Sequence, residues 1–88
     1  MGFFDSLFKK ALPHAIQDLD YKVATRDRTG FDESDFEMKL NQIRRSAMQL
    51  SGYDRSGAIK ALHELERNSR LYPRERQWLN QLLNDLHR

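Results

Sequence analysis

From Gly52 to Arg88 the chain reads GYDRSGAIKALHELERNSRLYPRERQWLNQLLNDLHR. Two helical patterns lie either side of Leu71-Tyr72-Pro73. In the first, Ala58, Leu62 and Leu65 share a face, with Ile59 and Ala61 beside it. Spacings of three and four residues belong to one side of an α-helix. Asn68 and Ser69 weaken that helix. Pro73 rules out its continuation, because the residue before a proline is pushed out of helical conformation. Pro73 suits the first position of a new helix, where no N–H is needed. Trp78, Leu79, Leu82, Leu83 and Leu86 then form a stripe too wide for two helices to bury between themselves. The stretch demands further helices to cover it, and this decides an all-α fold.

Those helices lie upstream. Phe36, Leu40, Ile43, Ala47 and Leu50 alternate four- and three-residue spacings, a heptad-like seam suited to a bundle helix or a dimer contact. Asp32 or Ser34 starts that helix, and Ser34 with Glu37 three residues on fits a capping box. Asp32, Glu33, Asp35 and Glu37 put negative charge at the positive end of its dipole. Ser51-Gly52 closes it, with glycine where a left-handed residue is needed. Asp54 caps the next helix, and Gly57 in its first turn allows a neighbouring helix to approach closely. Further upstream, Phe4, Leu7, Phe8 and Ala11 share a face that Phe3 and Leu12 widen, with Lys9 and Lys10 on its border. That segment either packs on the domain or lies in a membrane interface. Pro13 kinks the helix or restarts it, and the face resumes at Ala15, Ile16, Leu19 and Val23. Thr25-Arg26-Asp27-Arg28-Thr29-Gly30 is polar, carries both charges and ends in glycine, and so reads as a mobile loop.

The expectation is a small four-helix bundle of roughly antiparallel helices at 3–24 (kinked at Pro13), 33–51, 54–69 and 73–87. Residues 1–88 form a single helical domain, with 1–12 as a separable amphipathic segment. The expected core is Phe8, Leu12, Ile16, Leu19, Phe36, Leu40, Ile43, Ala47, Leu62, Leu65, Trp78, Leu79, Leu82 and Leu86.

At 88 residues such a core is modest, so homodimerisation is an alternative to a monomer. With no cysteine there is neither a disulfide framework nor a thiolate metal site, which is compatible with a reducing, cytoplasmic setting. No apolar run approaches the roughly 18–20 residues of a membrane span, and the first dozen residues do not read as a secretory signal. The net charge of +2 is unevenly spread. Residues 1–43 hold six Lys/Arg against eight Asp/Glu, about −2; residues 44–88 hold nine against five, about +4. A basic back half points to head-to-tail association or an acidic partner.

Asp54-Arg55-x-x-Ala58-x-x-Ala61-Leu62-x-x-Leu65, followed by Pro73 and Leu79-x-x-Leu82-Leu83-x-x-Leu86, resembles one HEAT-like helical repeat. The resemblance covers residues 52–88 and has no second copy elsewhere in the chain. It implies a protein-binding scaffold rather than a catalyst. Because a single repeat does not bury its own faces, it also implies that the N-terminal helices cap it.

Catalytic motifs are absent from the sequence. His63-Glu64-Leu65-Glu66-Arg67 starts like a metalloprotease helix but has no second histidine four residues on. There is no glycine-rich phosphate loop or nucleophile elbow. The acidic run 32–37 has neither the glycine nor the ligand spacing of a calcium loop. Neither a cofactor nor a catalytic set is expected. The leading expectation is a non-enzymatic interaction module, an adaptor, regulator or inhibitor that occupies the surface of a partner protein. Its contact set is Arg44, Arg45, Tyr53, Arg55, Arg67, Arg70, Tyr72, Arg74 and Arg76, since arginine forks and tyrosines are favoured at interfaces. Two alternatives remain. The same residues, interleaved with aromatics, suit nucleic acid. Residues 2–12 suit a membrane surface.

Overall fold

Phe36, Leu40, Ile43 and Ala47 are buried on one helix face, as their spacing along the chain implied, and Leu50, two residues past the end of that helix, is buried as well. The structure is a computed structural model that describes residues 2–87, with side chains from Leu12 to His87. The described residues form helices and connections only. The elements are α1 (Gly2–Ala24), α2 (Arg26–Thr29), α3 (Glu33–Met48), α4 (Gly52–Glu66) and α5 (Pro73–Leu86). Pro13 lies inside α1. The side chain of Phe8 and the aromatic face of residues 2–11 lie outside the described residues.

Four long helices stand where four were expected, and α2 is additional. The run Thr25–Gly30 is therefore not the mobile loop its composition implied: Arg26–Thr29 is one helical turn, and Arg26 is buried. Its amides are bonded, Arg28 and Thr29 N–H to Thr25 O and Gly30 N–H to Arg26 O.

Helix α1 packs against α3 and α4, and α5 packs against the same two helices. Consecutive α3 and α4 meet only slightly, near their connection. One apolar cluster fills the space between, running from Leu12, Ile16, Leu19 and Val23 through the α3 seam to Ala58, Leu62, Leu65, Leu79, Leu82 and Leu86. Trp78 is only partly buried; it lies against the rim of the core and stacks on Phe36 with ring centroids 6.5 Å apart. Leu71, in the expected break, is buried and part of the core.

Helix ends differ in detail. The capping box at α3 is Asp32 with Asp35, not Ser34 with Glu37: Asp35 N–H donates to Asp32 Oδ1 at 3.0 Å, and Asp32 N–H to Asp35 Oδ2 at 3.2 Å. Gly52 does hold a left-handed conformation, φ 56°, but as the first residue of α4 rather than the end of α3. Ser51, not Asp54, occupies the N-cap of α4. Gly57 has no neighbour within 4 Å of where a Cβ would stand, so it serves no close helix approach. Among the described residues no helix is long and apolar enough to cross a membrane.

Candidate interaction surface

The nine residues expected to form a contact set do not gather in one place. α4 separates them. Its 15 residues rise about 21 Å. Arg44, Arg45, Tyr53 and Arg55 stand around its start, and Arg67, Arg70, Tyr72, Arg74 and Arg76 around its end.

At the far end of α4 Arg76 is drawn inward. Arg76 Nη1 and Nη2 donate to Glu66 O at 2.7 Å and Asn68 O at 2.8 Å, satisfying carbonyls that the end of α4 leaves open. Arg70 pairs with Asp27 of α2. Asn68 Nδ2 donates to Asp20 Oδ1 at 2.6 Å and to Asp20 O at 3.1 Å, which ties this turn to α1. Arg67, Arg70 and Arg74 remain exposed.

Beneath them lies a pair that sequence reading missed. Arg26 and Glu75 are 5% and 0% exposed. The guanidinium donates from Nη1 to Glu75 Oε1 at 2.9 Å and from Nη2 to Oε2 at 2.7 Å, a bidentate fork. Nη1 also donates to Arg70 O at 3.0 Å. Glu75 Oε1 in turn accepts the Tyr72 N–H at 2.8 Å, one of the open donors at the start of α5. The Tyr72 ring lies over the Arg26 guanidinium, 4.0 Å from its centroid. The bonded Glu75 carboxylate holds the Arg26 pKa above its ordinary value, against the opposing effect of burial. Asp32 is shifted downward, chiefly because its carboxylate accepts the Asp35 N–H. Tyr72 is thus a lid on a structural ion pair, with 44% of its surface still exposed.

The near end of α4 is arranged differently. Arg44 Nη1 pairs with Asp85 at 2.8 Å. Arg55 reaches the last carbonyls of two other helices, Met48 O at 3.4 Å and Leu86 O at 3.5 Å. Those contacts lay the first turn of α4 over the end of α3. On the outside of that corner stand Tyr53, 92% exposed, Met48, 45% exposed, and the exposed Arg45. Met48 was not among the expected contact residues. Its signal was present in the sequence, as an apolar residue out of register with the Phe36–Leu50 seam.

The fold and this corner define a class: a small all-helical protein in which Arg55 and Arg76 brace helix ends, with Arg45, Met48 and Tyr53 exposed around the α3–α4 connection. Comparison with protein-family models, curated proteins and solved structures returns no match.

Proposed function

We propose that the protein is a non-enzymatic helical interaction module that works by occupying the surface of a partner protein. The observation that carries this reading is the α3–α4 corner. Tyrosine, methionine and arginine are the residue types enriched where proteins bind one another. Here Arg45 and Met48 are exposed in the last turn of α3, and Tyr53, nearly fully exposed, follows in the first turn of α4. Arg45 supplies a bidentate donor for a carboxylate on an acidic partner.

Nucleic-acid binding draws on the same cations, and Arg44, Arg55 and Arg76 already donate to part-buried acceptors within the chain. This favours protein over phosphate backbone as the partner. Membrane association rests on residues 2–12, of which Leu12 alone has a described side chain, and that one is buried in the core. We read the scaffold as a four-helix bundle with α1 bent at Pro13, and α4–α5 as the HEAT-like hairpin. The packing of α1 and α3 against that hairpin supports its capping by upstream helices.

The test is affinity capture from the native host with the parent chain and with Arg45→Glu/Tyr53→Ala. Both positions are exposed, so the variant keeps the parent's melting midpoint. A captured protein that disappears with the variant supports the corner as the contact; capture in equal amounts removes it.

A further inference from the structure

We infer that the face formed by α1 and α3 is a two-fold interface for a second copy of this chain. The corner described above lies elsewhere, so the two readings stand or fall separately.

The observations begin with a groove between α1 and α3. One end is an apolar hollow of about 170 Å³, floored by Leu12, Ala15, Leu19 and Ile43 and bordered by Asp18 and Lys39. The other end is shallower and carries Lys22, Phe31, Asp35 and Met38. Met38 is 56% exposed and Phe31 is half-buried. Along the α1 rim, Asp18 and Lys22 lie one turn apart and pair with each other at 3.2 Å. Along the α3 rim, Asp35 and Lys39 also lie four residues apart. Each rim therefore presents one acid and one base in succession.

That pattern is self-complementary. A two-fold interface brings the same patch of both copies together, so a residue at one side of the axis meets its mirror position on the other copy. Place the axis across the groove, between Asp18 and Lys22 on α1 and between Asp35 and Lys39 on α3. Each α1 then lies antiparallel to the other α1, and each α3 to the other α3. Asp18 faces the second copy's Lys22, and Asp35 faces its Lys39, with both pairs repeated by symmetry. Met38, one residue from the axis level, meets the second copy's Met38 and buries an apolar side chain that a monomer leaves in water. The same rotation carries Phe31, just before the start of α3 at the shallower end of the groove, toward the second copy's hollow at the Ile43 end. The Asp18–Lys22 pair within one chain is exposed and worth little by itself, so its exchange for pairs across the interface costs little.

Sedimentation velocity on the full chain across a concentration series tests this. The parent chain sediments as a dimer that dissociates on dilution, and its melting midpoint rises with concentration. Met38→Asp sets two carboxylates together at the axis and yields a monomer with the parent's circular dichroism. Lys22→Glu places acid against acid and weakens the dimer at least about tenfold. Asp18→Lys/Lys22→Glu restores alternating signs in reverse order, and with them the dimer. A parent chain that stays monomeric overturns the proposal, as does a groove that takes up another protein instead. A dimer indifferent to Met38→Asp places the interface elsewhere. A dimer broken by Met38→Asp but unmoved by the α1 charges overturns the antiparallel register.

Discussion

Arg26 and Glu75 set the consequences at the scale of single residues. Burying one charge without the other is far more costly than burying the pair. Removing either partner is therefore expected to destabilise the protein by about 3–5 kcal/mol, read from urea midpoints. The pair itself is not a large source of stability, because Arg26 Nε is buried with no acceptor among the described residues. Replacing both, as Arg26→Met/Glu75→Leu, is expected to recover most of the loss; a double variant as unstable as the single ones would show that the pair is needed as such. Asp32 carries the clearest pH dependence. Its folded pKa lies below the ordinary 3.8, so its contribution is present above that value and is lost as pH falls through the folded pKa. Below about pH 3.8 the parent chain should lose stability that Asp32→Asn does not. Arg26, raised rather than lowered, stays charged throughout that range.

Elements are specified by their ends as much as by their faces. Two glycines in α4 make opposite predictions. Gly57 sits in a right-handed helical turn with open space around it. Gly57→Ala should raise stability by about 1 kcal/mol, the usual cost of glycine in a helix. Gly52 is equally open but left-handed, so Gly52→Ala should lower stability by about 1–2 kcal/mol through backbone strain alone. At α3, Asp32→Ala should lower the thermal midpoint, while Ser34→Ala should leave it unchanged. The sequence allowed either residue as the cap. Both can accept from a backbone N–H three residues on, and only the observed helix start decides between them. The faces were more legible. Phe36, Leu40, Ile43 and Ala47 are buried because their three- and four-residue spacing admits only one helix side, and Leu50 is buried in the connection that follows.

For the molecule as a whole, the packing makes α4–α5 dependent on what precedes it. α4 contacts α1, and α5 contacts α3, while Glu75 requires Arg26 from 49 residues upstream. A peptide of residues 52–88 is therefore expected to show no cooperative thermal transition by circular dichroism. A cooperative melt of that peptide would instead establish α4–α5 as an independent unit.

Hydrophobic spacing, Pro73 and the sum of apolar stripes were enough to specify the helical class, four helices to within a few residues and most of the core. These are local properties, repeated every turn, and each turn adds to the same signal. Partner choice among charged residues has no such period. Thr25–Gly30 has the composition of a loop, and nothing nearby marks Arg26 as buried. Arg76 looks like a surface cation until the turn after α4 folds back and its guanidinium reaches Glu66 O and Asn68 O. Only the tertiary structure decided which arginines brace the fold and which, like Arg45, face outward. An ion pair or a capped carbonyl is set by distances between segments far apart in the chain, and the residues around either partner do not encode those distances.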